Sequence, residues 1–261
     1  MPRRPTLSPS KFATYLTCAV KYRWTYLDRR GRRYMRARAG FSFGSTMHRV
    51  LERFYDPSDQ EVKTVETSLI ALDRHWIDAG YASDEESDQA RIRGEQLIRA
   101  HVEAALAAAD TRQTVAVEKM LRCPMGRFDL IGRIDRIDEH ADGTIEVVDY
   151  KSGRSSVRPE DVAASLAMGC YQILAAHHFP DRPVLATIVA LRSGEQASAA
   201  LTPEERSELA RDLRVLGDEI LDRDFAEIEP SWIAACSDCD FRPLCRLHPP
   251  FAEEERSRSA V

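Results

Sequence analysis

Four residues in this chain could act together on a phosphodiester: Asp135, Asp149, Lys151 and, well upstream, His48. Asp149 and Lys151 sit in the stretch IEVVDYKSG, from Ile145 to Gly153. Val147, Val148 and Tyr150 favour a strand, and Gly153 stops it. Side chains alternate along a strand, so Asp149 and Lys151 project from one face. A carboxylate beside an ammonium at the end of an apolar strand suits metal-dependent chemistry on phosphates. On its own it suits a surface ion pair equally well. Asp135 shifts the balance, because it falls near the end of the preceding strand. Two carboxylates on neighbouring strand ends can hold a hard divalent cation such as magnesium or manganese. Such an ion positions a water and polarises the phosphodiester. Lys151 would then orient or deprotonate the water, or neutralise charge growing on the phosphate. A lone histidine is usually structural, and His48 becomes a ligand candidate only where carboxylates converge on it.

The elements that must position these residues can be read from periodicity. Phe128 to Ile137 reads as a strand, and Val115 and Val117 mark an earlier one, with a turn at Pro124–Gly126 between them. Asp142-Gly143 is a hairpin turn signal. Three strands therefore run antiparallel in order, with Asp135 and Asp149 near strand ends. Met47, Val50, Leu51, Phe54 and Tyr55 give the segment Ser42–Tyr55 a helical apolar stripe, and His48 adjoins it. Residues 61–110 read as helical throughout, with an acidic break from Ser83 to Asp88. Further helices are expected from Ser8-Pro9 through Tyr22, from Pro159 to Phe179, and from Thr202 to about Arg223, the last opened by a capping box with Glu205. Val184 to Leu191 reads as another strand. The tail beyond residue 250 is charged and expected to be disordered.

Bulk properties bound the alternatives. The chain has 261 residues, 43% hydrophobic and 30% charged, an ordinary soluble composition. It has no apolar run of membrane-spanning length, and its first residues lack the apolar core of a signal peptide, so a cytoplasmic location is expected. A net charge of −5 argues against wholesale coating of a nucleic acid but permits a local basic patch. One such patch is Arg29-Arg30-Gly31-Arg32-Arg33, continued by Arg36 and Arg38, which suits phosphate contact.

Six cysteines in such a chain point to thiols or metal ligands rather than disulfides. Cys236, Cys239 and Cys245 form C-x2-C-x5-C, and Cys18 is the candidate fourth ligand. Spacing alone leaves zinc and iron–sulfur both open. Cys123 and Cys170 have no partner pattern and read as structural.

Taken together, Gly132-Arg133-Ile134-Asp135 and Asp149-Tyr150-Lys151 resemble the core of the PD-(D/E)XK nuclease superfamily. Gly44-x3-His48 and the opening Leu7-Ser8-Pro9-Ser10 are similar to its RecB-like branch, which includes AddB-type helicase-nucleases and CRISPR-adaptation exonucleases. The resemblance implies an α/β restriction-endonuclease-like core, a mixed sheet flanked by helices, in one domain over residues 1–261, with a helical insertion at 57–110. It implies a magnesium or manganese ion on His48, Asp135, Asp149 and the Tyr150 carbonyl, with Lys151 as the catalytic lysine and Gln172 as the glutamine of the following helix. Glu118 would be an extra acidic residue. The branch often places a tyrosine four residues after that glutamine. Here that position is Ala176, and Tyr171 precedes Gln172. It also implies a 4Fe–4S cluster on Cys18, Cys236, Cys239 and Cys245, tying residues 7–30 to 230–250. The activity implied is an exonuclease on single-stranded DNA or DNA ends, in repair, recombination or CRISPR adaptation. The chain has no Walker A motif, so a partner helicase or CRISPR integrase would supply any motor or integration step. A catalytically silent DNA-binding or scaffold subunit is the alternative, though the complete His, Asp, Asp and Lys set argues against it.

Overall fold

A computed structural model of the chain describes residues 4–108 and 111–259. Strand β1 (Thr6–Leu7) leads into helix α1 (Pro9–Thr17), whose N-cap is Ser8 with its side chain accepting from the Lys11 N–H. The helix expected to run on to Tyr22 is interrupted at Cys18, which is extended (φ −166°) and caps a second helix, α2 (Ala19–Tyr22). After the arginine-rich turn comes α3 (Ala39–Tyr55), then α4 (Val65–His75) and α5 (Asp84–Ala107). Three long strands follow, β2 (Gln113–Met125), β3 (Phe128–Glu139) and β4 (Ile145–Lys151). Next are α6 (Pro159–Ala163), α7 (Leu166–His178), β5 (Val184–Ala190), β6 (Gln196–Ala199) and α8 (Pro203–Asp222). The chain closes with α9 (Arg242–Cys245) and α10 (Pro249–Ser259).

The described residues group into two compact units, within Met1–Thr6 plus Ala37–Asp212 and within Leu7–Arg36 plus Leu213–Val261. The first unit carries the sheet, ordered β1-β3-β4-β5-β6 with β2 also on β3. As expected, β2, β3 and β4 are successive antiparallel neighbours. The β4–β5 pair is parallel, so the sheet is mixed. A right-handed crossover is the rule for such a pair, and α6 and α7 lie in the connection. The turns fall where the sequence placed them, with left-handed glycines at Gly126 (φ +66°) and Gly143 (φ +90°). Met47, Val50 and Leu51 of α3 are fully buried against α4, α5 and the sheet residues Val148, Tyr150 and Val189. Each side chain of this size contributes roughly 1.5–3 kcal/mol on burial. Helix α7 packs on the sheet through β2–β5. It approaches closely at Gly132, where a Cβ would stand 2.7 Å from Leu174 Cδ1.

The region read as helical throughout 61–110 is broken between His75 and Asp84. Gly80 (φ +93°) lies so close to the Arg38 backbone that a Cβ would sit 2.6 Å from it. The acidic residues after Ser83 are not the break. They are the first turn of α5, capped by Ser83, where carboxylates favour the helix dipole. The expected single helix from Pro159 to Phe179 is likewise two, restarted by the Ser165 cap. Strand β6 was not anticipated.

The second unit joins the N-terminal and C-terminal segments. Its core is Val20, Trp24, Phe241, Leu244 and Phe251, with Cys236 and Cys245. The tail expected to be disordered instead forms α10, because Phe251 is fully buried and Glu255 pairs with Arg242 and Arg246. Charge alone hid that apolar anchor. Among the described residues no helix is long and apolar enough to cross a membrane.

Candidate active site

The site forms where the β3–β4 ladder ends. Backbone pairing runs from Glu139–Ile145 to Arg136–Val148. Beyond it the Tyr150 N–H donates to Asp135 Oδ2 at 2.8 Å, so a side-chain carboxylate takes the place of a ladder carbonyl. Helix α3 brings in His48, whose Nε2 lies 3.0 Å from the Tyr150 carbonyl oxygen. Its Nδ1 lies 3.3 Å from Asp135 Oδ1 and 3.8 Å from Glu118 Oε1. Both ring nitrogens thus face acceptors. Burial works against a charge on the ring, but the hydrogen bonds and fields of Asp135, Glu118 and Asp149 outweigh it and hold the His48 pKa at about 10. Glu118 reaches the group from β2 with a left-handed backbone, φ +45°. For a residue with a side chain that conformation is uncommon and costs on the order of 1–3 kcal/mol.

Lys151 Nζ stands 2.6 Å from Asp149 Oδ2. Burial and the nearby Asp135 charge push the Asp149 carboxyl up, while Lys151 and His48 draw it back. Alternation on β4 places these two side chains on one face, as the sequence predicted. Tyr171 of α7 is a neighbour the sequence did not assign to the site. Burial, then the charges of Asp149 and Asp135, push its hydroxyl up. Gln172 is turned elsewhere: it is buried, and its Oε1 accepts from the Leu201 N–H at 2.7 Å. That bond ties α7 to the segment that leads into α8.

Beneath the site lies a buried cation. Arg136 Nη1 donates to the Tyr150 hydroxyl at 2.7 Å, and its Nε lies 2.9 Å from Asp138 Oδ2. Its guanidinium carbon is 3.9 Å from the centre of the Tyr55 ring. Tyr55 in turn shares a 2.9 Å hydrogen bond with His101. None of these supports was named from the sequence.

Among the described residues, the group of three or more His, Cys, Asp or Glu whose ligand atoms all lie within 4.8 Å is His48, Glu118 and Asp135. Two adjacent ligands on an octahedral ion with bonds of about 2.1 Å stand about 3.0 Å apart. His48 Nε2 and the Tyr150 carbonyl have that separation as a hydrogen bond, while the Asp135 and Glu118 carboxylates face the ring's other nitrogen. Carboxylate oxygens with one imidazole can together hold a divalent metal ion.

A family model described as the PD-(D/E)XK nuclease superfamily matches residues 6–246. The chain belongs to that superfamily. Two solved structures are similar at low identity. SSO0001 shares 13% identity over 79% of this chain and 95% of its own, with a TM-score of 0.33. A candidate exonuclease from Eubacterium rectale shares 10% over 80% and 91%, with a TM-score of 0.35. No curated protein matches.

This superfamily member carries its four predicted cluster cysteines together in the second unit. Cys18 and Cys239 pack against the apolar group that holds Cys236 and Cys245. All are free thiols. Cys18 Sγ accepts from the Lys21 N–H at 3.4 Å and Cys236 Sγ from the Ile233 N–H at 3.5 Å. Burial, then the other three sulfurs, push the Cys245 thiol up to about 12. The four sulfurs do not close to the 4.8 Å spacing of the His48 group. A closed single-ion site is therefore not formed by them in this arrangement. Cys123 and Cys170 are buried elsewhere, and burial pushes the Cys170 thiol up to about 12.

Proposed function

We propose that this chain is a magnesium- or manganese-dependent deoxyribonuclease that hydrolyses phosphodiester bonds from single-stranded DNA or DNA ends. The observation that carries the reading is the convergence of His48, Asp135 and Glu118 beside the Asp149–Lys151 pair, where the β3–β4 ladder ends. His48, Asp135, Asp149 and the Tyr150 carbonyl are the proposed metal ligands, and Glu118 is close enough to share in them. A bound divalent ion would supply Lewis-acid polarisation of the phosphodiester and a more acidic water.

The chain's own residues do the rest. Asp135 holds the Tyr150 N–H, which fixes the direction of the adjoining peptide. His48 must surrender the proton it keeps between Asp135 and the Tyr150 carbonyl before its nitrogen is free to ligate. Lys151 is half-exposed to the cleft, with its amine held on Asp149. From there it can donate to a non-bridging phosphate oxygen and stabilise charge that grows in the transition state.

For the second unit we propose a 4Fe–4S cluster on Cys18, Cys236, Cys239 and Cys245. Support comes from their shared apolar setting and the N–H donors aimed at two sulfurs. Iron–sulfur clusters are held by four thiolates, and hydrogen bonds to the sulfurs tune them. A centre of several irons also spaces its thiolates more widely than one zinc ion does, whose bonds are about 2.3 Å. Such a protein would serve repair, recombination or CRISPR adaptation beside a helicase or integrase.

The test is cleavage of end-labelled single- and double-stranded DNA with magnesium or manganese. Wild type should cut, and Lys151→Ala should lose at least about 100-fold in rate while still binding DNA. Equal cutting by Lys151→Ala, or none by wild type, would end the enzymatic reading.

A further inference from the structure

One side chain at the cleft is out of keeping with a metal site. The cleft, about 570 Å³, is lined by α3, by Glu118 and Arg133, and by the loop after β4. At its edge on the first turn of α3 stands Phe41, 73% exposed. A phenylalanine this exposed beside charged groups gains nothing from burial in the fold. On a helix, positions 41, 44, 48 and 52 share a face. That face therefore presents an aromatic ring, then Gly44, then His48, then Glu52, and all four line the cleft. The middle is bare. Nothing stands within 4 Å of where a Gly40 Cβ would be, and a Gly44 Cβ would approach only Ser152 Oγ, at 3.2 Å. The ring is thus not screened by its helical neighbours. Phe41 precedes His48 by seven residues, about 10 Å along the helix axis.

Three arginines line the same cleft: Arg49, Arg133 and Arg154. Among the described residues, Arg133 and Arg154 pair with Glu118 and Asp161 at 3.7 Å, and their side chains are 64% and 46% exposed. Loosely paired guanidinium groups of this kind can exchange a carboxylate for a phosphate. Cationic groups that track a backbone, with an aromatic face between them, are the ingredients of single-strand binding. A closed duplex offers no base face to such a ring, whereas an unpaired strand or frayed end does.

We propose that Phe41 is the base-stacking residue of this site, receiving the face of one unpaired base a nucleotide or two from the scissile phosphate while Arg49, Arg133 and Arg154 hold the backbone. The proposal rests on the nuclease reading and adds to it the residue that selects unstacked strands.

The test separates the two. Binding of a fluorescent oligothymidylate is measured by anisotropy in EDTA, with and without a single abasic position moved along the strand. Cleavage of the same strand and of a blunt hairpin duplex is measured with manganese. Phe41→Ala should weaken single-strand binding about 5- to 100-fold, and Phe41→Trp should restore it. One abasic position should weaken wild type but leave Phe41→Ala unchanged. The salt dependence of binding should keep its slope in Phe41→Ala and flatten in Arg133→Ala. Unaltered binding by Phe41→Ala, or abasic effects that are the same in both proteins, would overturn the proposal even if the enzyme cuts DNA. Stacking signatures without metal-dependent cutting would uphold the role of Phe41 in binding and overturn the nuclease reading. If wild type binds no single strand, the role of Phe41 falls, while the nuclease reading stands or falls on whether the strand or the hairpin duplex is cut with manganese.

Discussion

Replacing Arg136 with methionine should expose how much the site depends on the cation beneath it. Arg136 is 5% exposed and serves three partners at once. It pairs with Asp138 at 2.9 Å, donates to the Tyr150 hydroxyl at 2.7 Å, and lies 3.9 Å from the Tyr55 ring centre. Methionine keeps much of the apolar volume and removes the charge. Asp138, 2% exposed, then keeps its 2.8 Å bond from the Thr114 hydroxyl and the weaker field of Arg112. Stranding a buried carboxylate in this way costs about 3–5 kcal/mol. Burial already pushes the Asp138 carboxyl up, with Arg136 the main counterweight, so losing Arg136 pushes it further. A carboxyl raised on folding loses stability as pH rises through its folded value. Arg136→Met should therefore be hurt most at pH 7 and less at pH 5. Adding Asp138→Asn should recover part of the loss. Urea unfolding of the two single variants and the double variant at both pH values measures this. A loss under about 1 kcal/mol, or one that is the same at both pH values, would refute the claim that Arg136 neutralises a buried acid.

Three further outcomes follow from other parts of the molecule. Burial, then the Arg136 charge, lowers the His101 pKa to about 4, so the folded ring is neutral while an unfolded one protonates below about 6.5. Stability should fall by up to about 3 kcal/mol as pH drops from 6.5 to 4, and His101→Gln should flatten that window in pH-dependent melts. Gly31→Ala should destabilise the second unit by about 1–3 kcal/mol in thermal unfolding, because its Cβ would sit 2.0 Å from the Trp24 carbonyl oxygen, an immobile backbone atom. Anaerobically purified protein should be brown with iron and sulfide, and Cys236→Ser should lose the colour; stoichiometric zinc without iron would remove the cluster from the proposal.

Much of the site could be read in advance because it depends on local periodicity. The alternation through Asp149 and Lys151 and the helical stripe under His48 are statements about neighbours in sequence. Glu118 was only suggested, since its arrival depends on a left-handed backbone that no residue type there requires. The partner of Gln172 is not legible either: a polar residue on a helix face looks the same whether it faces a site or, as here, accepts from the Leu201 N–H. Arg136 resembled any charge on a half-buried strand until Tyr55, Tyr150 and Asp138 closed around it. Strand β6 is four residues long, below the length at which alternation is informative. The division into two units was hidden because one of them is built from distant segments, and composition along the chain carries no mark of that pairing.

The same discontinuous unit has a consequence for biosynthesis. Val20 and Trp24 leave the ribosome long before their packing partners Phe241, Leu244 and Phe251 do. At about 5–20 residues per second, the stretch from Arg36 to Leu213 takes roughly 10–35 s to make. Throughout that interval the first unit's sheet can assemble, while an amphipathic N-terminal arm waits with its apolar face in water. A nascent chain stalled before Trp232 should therefore be a client for hydrophobic-binding chaperones, and one extended well past Phe251 should not.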